Sequence, residues 1–508
     1  MKNSLVVLAI CPFLAVPAFA QTPAAPATGT GEKPAAAPTA KPAPAPQPLF
    51  SAGGFNFSAQ VRSRVESFDW FGVPDAGIDG KYVFNGTQLR LNGLKSTPKY
   101  DIGFDLQQVV LIGLPDNAVA PAPRGALGLG ANYYTANGEQ DGALSIKQAY
   151  LRLKNAVGKG SSARVGRFEF NDGLEVASKD ATLNWLKTQR ISQRLIGTFG
   201  FSHVGRSFDG AHLTAPVGTK GDNFTGVAAR PTEGVFQLEA NDNIDAVNFL
   251  YGAYTKPMKN SEARIFGMAY EDGRESPKSI KTDNRPLPIR TADSEDIKVY
   301  TLGANYEGVF DTGGGKFDVL AWGALQGGDW GALDHKGNAL ALEAGYQPKD
   351  MKLKPWFRVG YYQSSGDGNN ADGKHETFFT PLPTPRIYSR YPFYNQMNNK
   401  DLFFETILRP NPKLNLRGSF HKLDLSEASD LWYVGGGAFQ DTGFGTSGRP
   451  SGGSKSLANL IDISADYNIN PTTSIGVYAA KAMGKDVIEN IYTDKNSTYG
   501  YLEFTKKF

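Results

Sequence analysis

The sequence predicts an all-β fold, a single closed antiparallel transmembrane β-barrel of about 16 to 20 strands over residues 53–508, and three observations predict it. Side chains alternate between polar and apolar with a period of two in many segments, the mark of a strand whose faces see different solvents. Short connections take turns with long polar ones. The chain ends on an aromatic residue, Phe508, inside a strand-like segment.

Residues 1–20 read as a secretory signal peptide: Lys2, an apolar run from Leu5 to Val16, and Ala18-Phe19-Ala20, a small-x-small cleavage pattern. That run is shorter than the roughly 20 apolar residues of a spanning helix. The only cysteine, Cys11, lies within it. The mature chain therefore carries no disulfide, thiolate metal site or thiol nucleophile. Residues 21–52 hold eight prolines between Pro23 and Pro48 among Ala and Thr, a composition that packs no core and predicts an extended, disordered periplasmic tether. The barrel domain begins near Gly53-Gly54.

Composition excludes other classes. No apolar run after the signal approaches 18 residues, so a helical membrane protein is excluded. Without Lys2 the formal charge falls from +3 to +2, which singles out no nucleic-acid partner. A soluble β-protein stays open on hydropathy, because a barrel strand meets lipid only every second residue.

In the first strand Phe55, Phe57, Ala59, Val61 and Val65 share one face, and Asn56, Ser58, Gln60, Arg62, Arg64 and Glu66 the other. Near the other end Ile461, Ile463, Ala465, Tyr467 and Ile469 alternate with Asp462, Ser464, Asp466 and Asn468. Segments 144–154 and 316–326 alternate poorly, and their faces cannot be assigned. Tight turns at Asp311–Gly315, Pro348–Pro355, Asn411–Lys413 and Asn470–Thr473 are interleaved with long polar stretches at 364–399, 425–455 and 484–496. Outer-membrane barrels separate short periplasmic turns from long extracellular loops in this way. In the last strand Leu502, Phe504 and Phe508 fit an outward face and Lys506 departs from it. A barrel of this size is too wide for side chains to fill and implies an aqueous lumen.

Two groups of motifs carry a resemblance. The first is Ala163-Arg164-Val165-Gly166-Arg167-Phe168-Glu169-Phe170, Gln193-Arg194-Leu195-Ile196-Gly197-Thr198-Phe199 and Gly205-Arg206-Ser207-Phe208-Asp209-Gly210. The second runs through Tyr361–Gly368, Thr377–Arg386 and Tyr391–Asn395 to Asp430-Leu431-Trp432-Tyr433 and Gly435-Gly436-Gly437-Ala438-Phe439. In order and spacing they resemble the alginate-export family of outer-membrane barrels. The resemblance implies a monomeric barrel of about eighteen strands whose best-known members pass an anionic polysaccharide through an arginine-lined pore. It also implies that Phe508 is the signal read by the barrel-assembly machinery. The substrate does not transfer with the fold, and the proline-rich tether lies outside the family pattern.

On the inward faces, Arg62, Arg64, Arg90, Arg264, Arg358, Arg409 and Arg417 stand against Glu66, Asp101, Asp105, Glu262, Glu307, Glu405, Asp462 and Asp466. Arg358, Arg409 and Arg417 fall on three adjacent strands, and Arg62, Arg64 and Arg90 on another adjacent pair. A basic wall opposite acidic residues selects anions; alternatively the charges pair across strands and solvate the lumen. Arg167, Arg194, Arg206 and Asp209, in the family-like block, either line a constriction or brace a loop, and Asp209-Gly210 suits a turn. Within 364–399, Phe378, Phe379, Tyr391, Phe393 and Tyr394, with Tyr388, Arg386 and Arg390, form either a platform for sugar rings and their carboxylates or a loop packed on itself.

Enzyme signatures are missing: no two histidines stand at metal-ligand spacing, and no nucleophile elbow, phosphate loop or dinucleotide fingerprint occurs. Asp367–Gly373 partly matches a calcium loop without its fifth and twelfth ligands. The reading is an outer-membrane channel, without cofactor or metal, that meets lipid outside and an anionic saccharide or other anionic solute inside. A general or substrate-specific porin is the alternative, and an outer-membrane hydrolase the distant one.

Overall fold

The computed structural model describes residues 48–219 and 221–508; the predicted signal peptide and residues 21–47 of the tether lie outside the described residues. Eighteen long strands make the wall. They are β1 (Phe55–Asp69), β2 (Lys81–Ser96), β3 (Tyr100–Ile112), β4 (Gly142–Lys154), β5 (Ser162–Phe168) and β6 (Phe208–Val217). Then come β7 (Asp222–Pro231), β8 (Val247–Pro257), β9 (Ser261–Asp272), β10 (Ile297–Asp311), β11 (Gly315–Trp330) and β12 (Leu333–Pro348). The last six are β13 (Trp356–Ser364), β14 (Asn399–Asn411), β15 (Leu414–Leu425), β16 (Ser456–Asn470), β17 (Thr473–Gly484) and β18 (Asn496–Lys507).

Each strand pairs antiparallel with the next, and β1 pairs with β18 from Gln60↔Lys507 to Asp69↔Thr498. Closure is what a sheet in hydrocarbon requires, since no edge may present unpaired N–H and C=O groups to lipid. A three-residue strand, Phe50–Ala52, pairs with β1 just ahead of the expected boundary at residue 53.

Alternation sorts the faces. Val65, Ile461, Ile463, Leu502 and Phe504 are exposed to the outside, whereas Arg64, Glu66, Asp105, Arg264, Arg358, Glu405 and Asp462 are buried on the inside. The two segments that resisted assignment have physical explanations. In β4 the register shifts so that Ile146 and Gln148 pair with consecutive residues of β3, and Lys147 is the extra residue of a β-bulge. Ala143, Ser145 and Lys147 face inward before it, and Gln148, Tyr150 and Arg152 after it, which breaks the period. In β11 the inward face is itself apolar, Leu320, Trp322 and Ala324, because loops fold against it. Lys506, the outward residue that broke the last strand's pattern, donates to the hydroxyls of Thr472 and Thr473 at 3.2 and 3.1 Å, at the membrane edge.

At the end bearing the chain termini the connections are short, such as 97–99, 258–260, 412–413 and 471–472. At the other end they are longer, 70–80, 113–141, 169–207, 232–246, 273–296, 365–398, 426–455 and 485–495, except for the two residues Gly331-Ala332 between β11 and β12. Loops 169–207, 365–398 and 426–455 turn back into the lumen and meet there.

Candidate functional site

Loop 169–207 crosses the lumen and is tied to the wall on several sides. It opens on Glu169, which accepts from Arg90 on β2 at 3.0 Å and lies 3.6 Å from Lys147 on β4. Burial alone raises the Glu169 carboxyl, but Arg90 and Lys147 outweigh it and hold it at about 2. Glu175 and Asp172 meet Arg264 on β9, at 2.9 and 3.8 Å. Burial pushes Asp172 up to about 6 although the backbone N–H groups of Leu195 and Ile196 donate to it. A helical turn, α1 (Ala181–Leu186), is capped by Asp180, whose carboxylate accepts from the amides of Thr182 and Leu183. Beyond it Lys187 reaches Glu262 on β9 at 2.6 Å. The loop returns past β1 and β2, where the carbonyls of Gly200, Phe201 and His203 accept from Arg62, Arg64 and Gln88.

One charged cluster is sealed beneath this loop. Arg358 on β13 donates to Asp318 on β11 and to Glu343 on β12, the latter at 2.8 Å. Arg190 from the loop donates to Glu343 and to Glu405 on β14, at 3.2 and 2.6 Å. Arg417 on β15 pairs with Glu405 and donates to the Tyr388 carbonyl at 2.7 Å. Three arginines meet three carboxylates, and apart from Arg417 their side chains are fully excluded from solvent. The expected basic wall on β13–β15 is therefore corrected, because interleaved acids neutralise Arg358 and Arg417. The third member, Arg409, sits toward the short-turn end with its guanidinium 5.3 Å from the Trp356 ring centre.

A second cluster, lined by β1, β16–β18 and loop 365–398, is less compensated. Arg64 is bound by Glu503 at 2.7 Å and by Glu66 at 3.4 Å. Its guanidinium lies over Phe201 and Tyr501, at 4.3 and 4.4 Å from the ring centres. Arg390 donates to Tyr501 at 2.9 Å and to Asp466 at 3.1 Å. Arg386 lies 5.0 Å from the Phe201 ring centre. Its Nε and Nη2 have no hydrogen-bond partner, and among the described residues no carboxylate pairs with it. Desolvation lowers its affinity for the proton without removing the charge of a guanidinium.

The other sequence candidates fall in different places. Arg167, expected in the pore, pairs in register with outward-facing Ala149 and so lies on the outer face. There it grips Asp209 at 2.6 Å and the Asn241 carbonyl, and Asp209 is a strand residue of β6, not part of a turn. Arg194 and Arg206 are in the lumen but buried. Arg194 donates to the Arg190 carbonyl and the Tyr388 hydroxyl, both at 2.8 Å. Arg206 donates to the Ala438 and Gly436 carbonyls at 2.8 and 2.6 Å. Both brace loops. A side chain at Gly436 would collide with Phe199, and one at Gly437, where φ is +80°, with the Pro381 carbonyl. The family-like motifs are thus the seams where loops 169–207, 365–398 and 426–455 meet.

The aromatic platform also needs correction. Phe378, Phe379, Tyr391, Phe393 and Tyr394 are all buried. Phe379 packs on Trp330 and Tyr270, with ring centres 4.9 and 5.4 Å apart. Tyr391 packs on Tyr499 at 5.5 Å, and Phe393 on Phe71 at 6.0 Å. Their faces are taken up by wall aromatics, so none is presented to a sugar.

Sequence reasoning missed Arg190, Asp318 and Glu343, whose role depends on a loop returning to distant strands. It also missed a chain on the inner wall. His421 Nδ1 meets Asp401 at 2.9 Å, His421 Nε2 meets Ser419 Oγ at 3.0 Å, and Ser419 donates to Asp462 at 2.7 Å. The residue types are those of a nucleophilic relay, but the Ser419 proton is directed to Asp462 and away from His421. The i, i+2 spacing of Ser419 and His421 on one strand face was the available signal. Among the described residues no group of three or more His, Cys, Asp or Glu side chains is arranged to hold a metal.

Comparison with known proteins agrees with this architecture. The family model described as alginate export matches residues 136–490. Among solved structures, Acinetobacter baumannii OccAB2 is 12% identical, with a TM-score of 0.53 over 89% of this chain and 98% of that one. The Pseudomonas aeruginosa outer membrane protein opdK is 9% identical, with a TM-score of 0.53 over 89% and 99%. Acinetobacter baumannii OccAB3 is 12% identical, with a TM-score of 0.53 over the same shares. At such identities the likeness is one of fold. No curated protein matches the sequence. With the family model spanning well over half of it, the chain belongs to the alginate export family, and it is an outer-membrane β-barrel channel for the passage of a solute or polysaccharide.

Proposed function

We propose that this channel passes an anionic saccharide or other anionic solute, passively, past the cluster of Arg62, Arg64, Arg386 and Arg390. The observation that carries the reading is Arg386, a lumenal guanidinium without a counter-ion among the described residues, which shares the Phe201 ring with Arg64. A guanidinium holds a carboxylate through two parallel hydrogen bonds. Neighbouring cations at successive positions let the solute move from one to the next. The barrel works as a monomer and is delivered to the membrane through recognition of its last strand and Phe508.

A general porin is the second reading, favoured by the acids Glu66, Glu503 and Asp466 that share this part of the lumen. Recording in planar bilayers under a salt gradient separates them. Anion passage predicts a reversal potential on the anion side and block by oligo-uronates. A potential near zero without block leaves the general porin.

A further inference from the structure

The two ends of the barrel carry opposite charge. In the described turns of the short-turn end every charged residue except Asp350 is a lysine, and Lys99, Lys159, Lys259, Lys349, Lys352 and Lys413 are all exposed. None of them forms an ion pair with a described residue. On the long-loop side four exposed lysines find acids, Lys81 with Asp69, Lys374 with Asp372, Lys455 with Glu427 and Lys495 with Glu489, while Lys278 and Lys336 do not. Loop 232–246 there carries Glu233, Glu239, Asp242 and Asp245 and no cation.

Position distinguishes a lipid from a transported polyanion. Of the inward cations toward the short-turn end, Lys154 is held by Asp101 at 2.7 Å and Lys316 by Asp180 at 3.5 Å, while Arg409 lies against the Trp356 ring. Lys349, Lys352 and Lys354 instead border the lipid-facing wall, and Lys413 donates only to the Ile469 carbonyl, at 3.0 Å. Phe310, Phe317, Tyr346 and Phe357 pair in register across β10–β13 as one outward row. Directly beyond that row runs Lys349-Asp350-Met351-Lys352-Leu353-Lys354, with Met351 and Leu353 each about half exposed. A belt of rings, then apolar tips mixed with unpaired ammonium groups, fits the boundary between acyl chains and phosphates.

We infer that the periplasmic rim is a collar for anionic phospholipid headgroups of the inner leaflet. It holds the barrel in register with the membrane and is independent of what the lumen passes. The test is native mass spectrometry of the detergent-purified protein with equimolar phosphatidylglycerol and phosphatidylethanolamine of matched chains. At physiological salt, phosphatidylglycerol adducts should exceed phosphatidylethanolamine adducts by roughly tenfold or more. K349Q/K352Q/K354Q/K413Q should bring the two near parity, while K455Q/K495Q keeps the preference. Heat-modifiable mobility on gels shows that each variant still forms its barrel. Parity in the unsubstituted protein, or a preference that survives the fourfold variant, would overturn the collar. So would displacement of phosphatidylglycerol by oligo-uronate, which would make the rim a polymer-capture surface.

Discussion

Two arginine clusters lie on the inner wall of one barrel and differ in how their charge is answered. Around Arg358 each guanidinium meets a carboxylate: Asp318 and Glu343 hold Arg358, and Glu343 and Glu405 hold Arg190. Around Arg386 three carboxylates, Glu66, Glu503 and Asp466, serve four arginines, and Arg386 itself has none. The first cluster pins loop 169–207 to the wall, and in the function proposed above the second leaves positive charge for a solute. Residue type does not separate a clamp from a pore; compensation does.

Breaking the clamp should have the largest effect. Arg358→Ala strands Asp318 in a buried site without a cation, leaves Glu343 with Arg190 alone, and is expected to cost about 3–5 kcal/mol. It should show as a lower unfolding midpoint of the barrel in urea and, as loop 169–207 loosens, a higher and noisier single-channel conductance. Arg386→Ala should do the reverse, changing stability by less than about 1 kcal/mol while lowering anion over cation permeability.

Acid sharpens the contrast next. Glu169 is held at about 2, below the ordinary carboxylate value near 4.3, so its ion pairs stabilise the loop above that value and are lost as pH falls through about 2. Conductance should therefore rise between about pH 4 and pH 2, and Glu169→Gln should flatten that change. The smallest effect belongs to the helix cap: Asp180→Ala removes two acceptor bonds at the start of α1 and should cost about 1 kcal/mol, seen as faster hydrogen exchange at Thr182 and Leu183 with unchanged selectivity.

The strand faces were legible where alternation is uninterrupted, as in β1 and β16, because a period of two fixes which side meets lipid. They were illegible where a bulge at Lys147 shifts the period and where β11 turns apolar Leu320, Trp322 and Ala324 inward. The candidate site was read only in part for a related reason. Alternation places Arg358 and Arg417 inward, but it cannot show that Glu343, two strands from Glu405, meets the same Arg190 from a loop remote in sequence. Arg167 misled because its motif sits in a lumenal-looking block, whereas its register partner, Ala149, faces out.

The measurement that bears most directly on the channel and its selectivity is the reversal potential under a salt gradient for the unsubstituted protein, Arg386→Ala and Arg358→Ala, compared in one bilayer system. An anion-selective potential that collapses toward zero in Arg386→Ala, and persists in those Arg358→Ala channels that still insert, is the predicted result. A potential unchanged by Arg386→Ala, or one already at zero in the unsubstituted protein, would contradict the division of labour between the two clusters.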